Sequence, residues 1–185
     1  MAPGELGITE EGAWSTPFAL DREDPNTLFV GLVNVWRSRN IKTAVRDSIV
    51  WEQLTTNLGA SPLALHTLHR SKADTNVVFV AKASRRLYRS MNALAPLAEV
   101  AWDDLSDNLP LASQPVTALE SVPGHDSLVY LGFNNKVWRS DDLGLSWTDI
   151  SGTLPDVRVN SLCYDPDGAG PVSYTHLTLP TIYSV

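Results

Sequence analysis

The strongest constraint on how this chain folds is a unit of about fifty residues written three times over. One anchor recurs as Val35-Trp36-Arg37-Ser38, Leu87-Tyr88-Arg89-Ser90 and Val137-Trp138-Arg139-Ser140. Ser38 and Ser90 stand 52 residues apart, and Ser90 and Ser140 stand 50 apart. Each anchor follows an apolar run: Leu28-Phe29-Val30, Val77-Val78-Phe79-Val80 and Leu128-Val129-Tyr130-Leu131. Each precedes a tryptophan segment that opens at Trp51, Trp102 or Trp147, and then a short exit at Asn57-Leu58-Gly59, Asn108-Leu109-Pro110 or Thr153-Leu154-Pro155. Four features in one order, three times, describe a repeated structural unit.

Each unit reads as four short strands. The first alternates, as in Val116-Thr117-Ala118-Leu119 or Val159-Asn160-Ser161-Leu162-Cys163. The second is a continuous apolar run, which suits a strand buried on both faces. The third carries the anchor and the fourth begins at the tryptophan. Turn signals separate them, among them Asp24-Pro25-Asn26, Pro123-Gly124-His125-Asp126 and Asn134-Asn135. No segment sustains helical periodicity. The expected fold is therefore all-β: a partial β-propeller of three four-stranded antiparallel blades plus the first strand of a fourth. The divisions follow as an N-terminal segment 1–13, blades at 14–59, 60–110 and 111–155, and the start of a fourth blade at 156–171. Propellers close with about four to eight blades, so this length predicts a fragment of a larger ring.

The third unit contains Ser140-Asp141-Asp142-Leu143-Gly144-Leu145-Ser146-Trp147. It resembles the Asp-box, or BNR repeat, whose pattern Ser-x-Asp-x-Gly-x-x-Trp is met by Ser140, Asp142, Gly144 and Trp147. The chemistry suits a tight turn between third and fourth strands. An aspartate accepts hydrogen bonds from main-chain N–H groups ahead of it. Glycine permits positive φ, and the tryptophan packs back over the hairpin. Ser38, Asn40 and Trp51, and likewise Ser90, Asn92 and Trp102, form degenerate boxes with Asn in the Asp place and longer tips. The resemblance implies a sortilin-, sialidase- or xyloglucanase-like superfamily, closest to secreted bacterial multidomain proteins. It also implies that the boxes are structural.

Residues 172–185 look like one reading frame of a sequencing-library adapter, so they are expected to be non-native and are set aside from the fold. Met1 begins no basic and apolar leader, and is expected to be an internal methionine of a longer reading frame. The net charge of −7 and the lack of Lys/Arg runs argue against a nucleic-acid partner. No apolar stretch is long enough to span a bilayer. Cys163 is the single cysteine, so no internal disulfide is available.

Candidate catalytic residues are few. Arg37, Arg89 and Arg139 occupy equivalent repeat positions, which predicts repeated packing or rim solvation instead of the convergent arginine cluster of a sialidase. Asp21, Glu23 and Asp24 share one loop and read as solvated charge. Asp103-Asp104 and Asp141-Asp142 are adjacent pairs, and neighbours on a strand face opposite ways, so neither makes a hydrolytic dyad by itself. His66 and His69 stand three apart, which argues against shared metal ligation. His125 sits in a turn, and Asp165-Pro166-Asp167-Gly168 reads as a β-turn with a faint calcium-loop look. No catalytic residue, metal site or cofactor is expected. The expected role is a non-catalytic scaffold of an extracellular or cell-surface protein, with a protein or glycan ligand and the missing blades of the same chain as partners. The alternative is part of a glycoside hydrolase whose carboxylates lie partly outside the fragment.

Overall fold

The computed structural model describes residues 8, 10–43, 45–110 and 115–165, and the backbone of 170–174. Three antiparallel four-stranded sheets follow one another along the chain. The first holds β1 (Phe18–Leu20), β2 (Leu28–Gly31), β3 (Val35–Ser38) and β4 (Glu52–Gln53). The second holds β5 (Leu65–Arg70), β6 (Val78–Lys82), β7 (Arg86–Ser90) and β8 (Asp103–Asp104). The third holds β9 (Val116–Ser121), β10 (Val129–Phe133), β11 (Lys136–Ser140) and β12 (Thr148–Asp149). Strands pair in sequence order within each sheet, and the described residues contain single 3-10 turns but no α-helix.

A separate pair joins β13 (Ser161–Asp165) to β14 (Gly170–Tyr174). The sequence led us to expect one strand here, so β14 is an addition. It runs into the stretch read as adapter, and a ladder uses main-chain groups that any non-proline residue supplies. The remainder of that stretch, and the turn expected at 166–168, lie outside the described residues.

The register repeats. Leu20 opposes Leu28, Arg70 opposes Val78 and Ser121 opposes Val129. The anchor arginines oppose Glu52, Asp103 and Thr148 in the three fourth strands. The same-sheet turns repeat as well: Asp24 and Asp74 each accept the N–H of the residue two ahead, at 3.1 and 2.8 Å.

The sheets stack face to face, with β1 beside β5, β5 beside β9 and β9 beside β13. Phe29, Val35 and Leu54 of the first sheet pack on Leu65, Val78, Val80 and Tyr88 of the second. The opposite face of the second sheet, through Val77, Phe79 and Ala81, meets Leu119, Val129 and Leu131 of the third. Ala118, Tyr130 and Val137 then cover Val159 and Leu162. A middle strand thus loses water from both sides, which is why all of β6 and β10 is buried and why both read as continuous apolar runs. Each such Val, Leu or Phe contributes roughly 1.5–3 kcal/mol by leaving water.

Candidate functional site

Two places in this framework hold organised polar chemistry: the tips between third and fourth strands, and the cleft where the first strands of adjacent sheets meet.

Each tip is built around a buried anchor serine. Ser38, Ser90 and Ser140 are at most 1% exposed. Each hydroxyl donates to the Oδ1 of the residue two ahead, at 3.1, 3.3 and 2.7 Å for Asn40, Asn92 and Asp142. That Oδ1 in turn accepts the N–H of the residue just before the tryptophan: Val50 at 3.0 Å, Ala101 at 2.9 Å and Ser146 at 2.8 Å. The second side-chain atom differs. Nδ2 of Asn40 and Asn92 donates to the carbonyls of Ser48 and Glu99, both at 2.8 Å, whereas Oδ2 of Asp142 accepts the Ser146 hydroxyl at 2.6 Å. That hydroxyl foremost, helped by Ser140 and two main-chain N–H groups, holds the Asp142 carboxyl down at about 2. Gly144 has φ +93° and gives its N–H to Ser140 Oγ at 2.7 Å. A Cβ there would meet Leu105 Cδ1 at 3.1 Å. Trp51, Trp102 and Trp147 are half-buried, with Trp102 and Trp147 packed on the inter-sheet clusters.

The cleft, of about 310 Å³, lies between the ends of the first strands and is lined by Phe18, Arg22, His69, Lys72 and Glu120 among others. Here one expectation is corrected. Asp21 is no solvated loop charge: it is 4% exposed and takes Arg70 on both oxygens at 2.7 Å. Burial alone would raise its pKa, but the Arg70 hydrogen bond and the N–H groups of Asp24 and Glu23 bring it below the ordinary value. A buried carboxylate needs such a partner, and Arg70, 49 residues away, is invisible to a local reading. Across the next interface Lys72 pairs with Glu120 at 2.5 Å and His69 Nε2 meets Ser121 Oγ at 2.8 Å. Burial foremost, with Lys72 and Arg22 nearby, pushes His69 down to about 3, so it stays neutral at physiological pH. His66 is exposed and apart from this pair.

Among the described residues no group of three or more metal-ligating side chains converges. Every carboxylate with a resolved shift, namely Asp21, Asp24, Asp142 and Asp149, is lowered. Such groups accept hydrogen bonds and hold turns; a general acid for glycosidic cleavage needs the opposite shift.

No protein-family model matches the chain, and no curated protein sequence matches it. Solved structures do resemble it in fold. An ancestral GH74 enzyme superposes with a TM-score of 0.52 over 74% of this chain at 18% identity. The chain spans 18% of that enzyme's length. The computationally designed Ika4 protein superposes with a TM-score of 0.54 at 14% identity, covering 94% of this chain and 92% of its own.

Proposed function

We propose that the chain is a run of Asp-box β-propeller blades serving as a non-catalytic protein- or glycan-binding scaffold in an exported bacterial protein, the ring being completed by further blades of the same polypeptide. The observation behind the non-catalytic reading is the use of the carboxylates. Asp21 and Glu120 neutralise cations of a neighbouring sheet, and Asp142 closes a turn. The cleft at the first strands supports the binding role. It gathers Arg22, His69, Lys72 and Glu120 around one mouth, polar groups that suit the hydroxyls of a sugar or the main chain of a peptide.

The second reading is part of a glycoside hydrolase, favoured by the fold likeness to the GH74 enzyme. Titration of the chain with β-glucan and xyloglucan oligosaccharides, alongside an assay for new reducing ends, separates the two. Binding that weakens at least fivefold in Arg22→Ala, without cleavage, is the expected result. Turnover that disappears on replacing a carboxylate would overturn the scaffold reading.

A further inference from the structure

The anchor triplet divides its work among three sheets. Its serine holds its own tip. Its aromatic faces the preceding sheet, as Tyr88 does in the cluster with Phe29 and Leu54. Its arginine reaches the following sheet. Arg37, fully buried, donates through Nη1 to the Ala93 carbonyl and, at 3.0 Å, to that of Ala95. Arg89 donates through Nη1 to the Leu143 carbonyl at 2.9 Å. Ala93 and Leu143 hold the same place, three residues after Ser90 and Ser140. Their N–H groups bond within their own sheets, to the Asn76 carbonyl at 2.9 Å and the Ser127 carbonyl at 3.0 Å. One residue of each tip therefore uses its N–H inside the sheet and its C=O to receive the preceding sheet's arginine.

The first sheet has the same residue without that arginine. Ile41, three after Ser38, gives its N–H to the Asn26 carbonyl at 3.1 Å, and among the described residues nothing donates to its own carbonyl. The surrounding face is open at its β1 edge. Phe18, Val30 and Trp36 occupy the register positions of Leu68, Val80 and Tyr88, which the first sheet covers in the second; of these Trp36 is 6% exposed and gives its Nε1–H to Glu10. Phe18 and Leu20 are 67% and 50% exposed. Arg139, at the other end of the series, folds back onto its own Asp141 at 2.6 Å.

We infer that the open face of the first sheet docks a further four-stranded sheet of the same aromatic-Arg-Ser repeat, borne on the same polypeptide, whose anchor arginine donates to the Ile41 carbonyl. The inference rests on the blade reading above and extends an interface that the chain already builds twice. A second copy of the chain fits less well. The outer face of its third sheet is taken by β13, and among the described residues the β13–β14 pair has no anchor strand.

The test extends the full chain at its N-terminus with a second copy of residues 60–110, so that an added Arg89 faces Ile41. The expected result is a larger urea m-value, because more surface folds, and a Tm higher by about 2–4 °C. Arg89→Ala in the added copy keeps the larger m-value and loses most of the Tm gain. Arg89→Lys, which keeps the charge beside Asp103, loses at least half of it and serves where the alanine variant lowers m. Equal Tm for the arginine and substituted chains overturns the arginine joint while leaving blade docking intact. An unchanged m-value and Tm, or dimerisation of the unextended chain abolished by Phe18→Asp, overturns the docked sheet itself.

Discussion

The tip of the third sheet and the tips of the first two solve one problem at different lengths. From anchor serine to tryptophan the third takes seven residues, against 13 and 12 in the others. In all three, Oδ1 of the residue after next holds the N–H just before the tryptophan, at 2.8–3.0 Å. Hydrogen-bond geometry is thus constant while side-chain type is not. The short tip turns a serine hydroxyl toward the second atom, and a carboxylate oxygen accepts from it. The long tips turn a carbonyl toward it, and an amide N–H donates to it. Aspartate or asparagine at this position follows from what the loop presents, so the asparagines are not weakened aspartates.

The sharpest way to break the comparison is at Gly144, because among the described residues the short tip alone uses left-handed backbone. Leu143 and Gly144 have φ +57° and +93°, whereas no described residue of the other two tips has positive φ. Gly144→Ala meets a strained conformation and the Leu105 methyl at 3.1 Å together. A loss of about 2–3 kcal/mol in urea unfolding is expected. A loss below about 0.5 kcal/mol, typical of a plain surface change, would show that the short tip tolerates an L side chain.

Exchanging the side chains between tips is the next largest effect. Asn92→Asp sets a carboxylate oxygen against the Glu99 carbonyl, two acceptors where a 2.8 Å donor bond stood, and is expected to cost about 1–2 kcal/mol. Asp142→Asn leaves a hydroxyl at Ser146 that can turn and accept, so it is expected to cost less than about 1 kcal/mol. The reverse order in paired denaturation curves would mean that charge, and not the loop's hydrogen-bonding group, selects the residue.

The strand plan was legible because burial on two faces writes itself as an apolar run, and Val77 to Val80 or Leu128 to Leu131 cannot be read otherwise once the anchor repeats. The tip residues were visible for the same reason: Ser38, Ser90 and Ser140 recur at fixed offsets. What lay between sheets was not visible. Arg37 fits the packing alternative and not rim solvation, since its guanidinium is buried, but its partners, carbonyls 56 and 58 residues away, have no local trace. The repeat itself carried a signal, since one residue type at one repeat position with a fixed neighbour on each side implies a joint between units. Asp21 with Arg70 had no such signal, because the positions equivalent to Arg70 are Leu20 and Ser121 and the pair occurs once. Glu10 was passed over inside the segment 1–13, but it accepts from both the N–H and Nδ2 of Asn34, and only the folded chain brings it there.

The finest distinction between the tips is their response to acid. Asp142 titrates in the third, while Asn40 and Asn92 do not titrate at all. With the Ser146 hydroxyl as main cause, the folded carboxyl sits at about 2, below the roughly 3.9 of an unfolded chain. The unfolded state therefore binds the proton first, so the stabilisation is complete above about pH 4 and fades as pH falls toward 2. Asp149, held at about 2 chiefly by Lys136, loses its contribution over the same window, and the lowered Asp21 likewise stabilises less as pH falls. A carboxylate this accessible is screened by water, so the share due to Asp142 amounts to a small shift in Tm. The parent chain should lose slightly more Tm between about pH 5 and pH 2.5 than Asp142→Asn, and the difference should vanish near neutrality apart from the constant cost of the substitution. Identical acid sensitivity in the two chains would mean that the Ser146 hydroxyl does not hold the carboxylate in solution, and the contrast between short and long tips would then rest on backbone conformation alone.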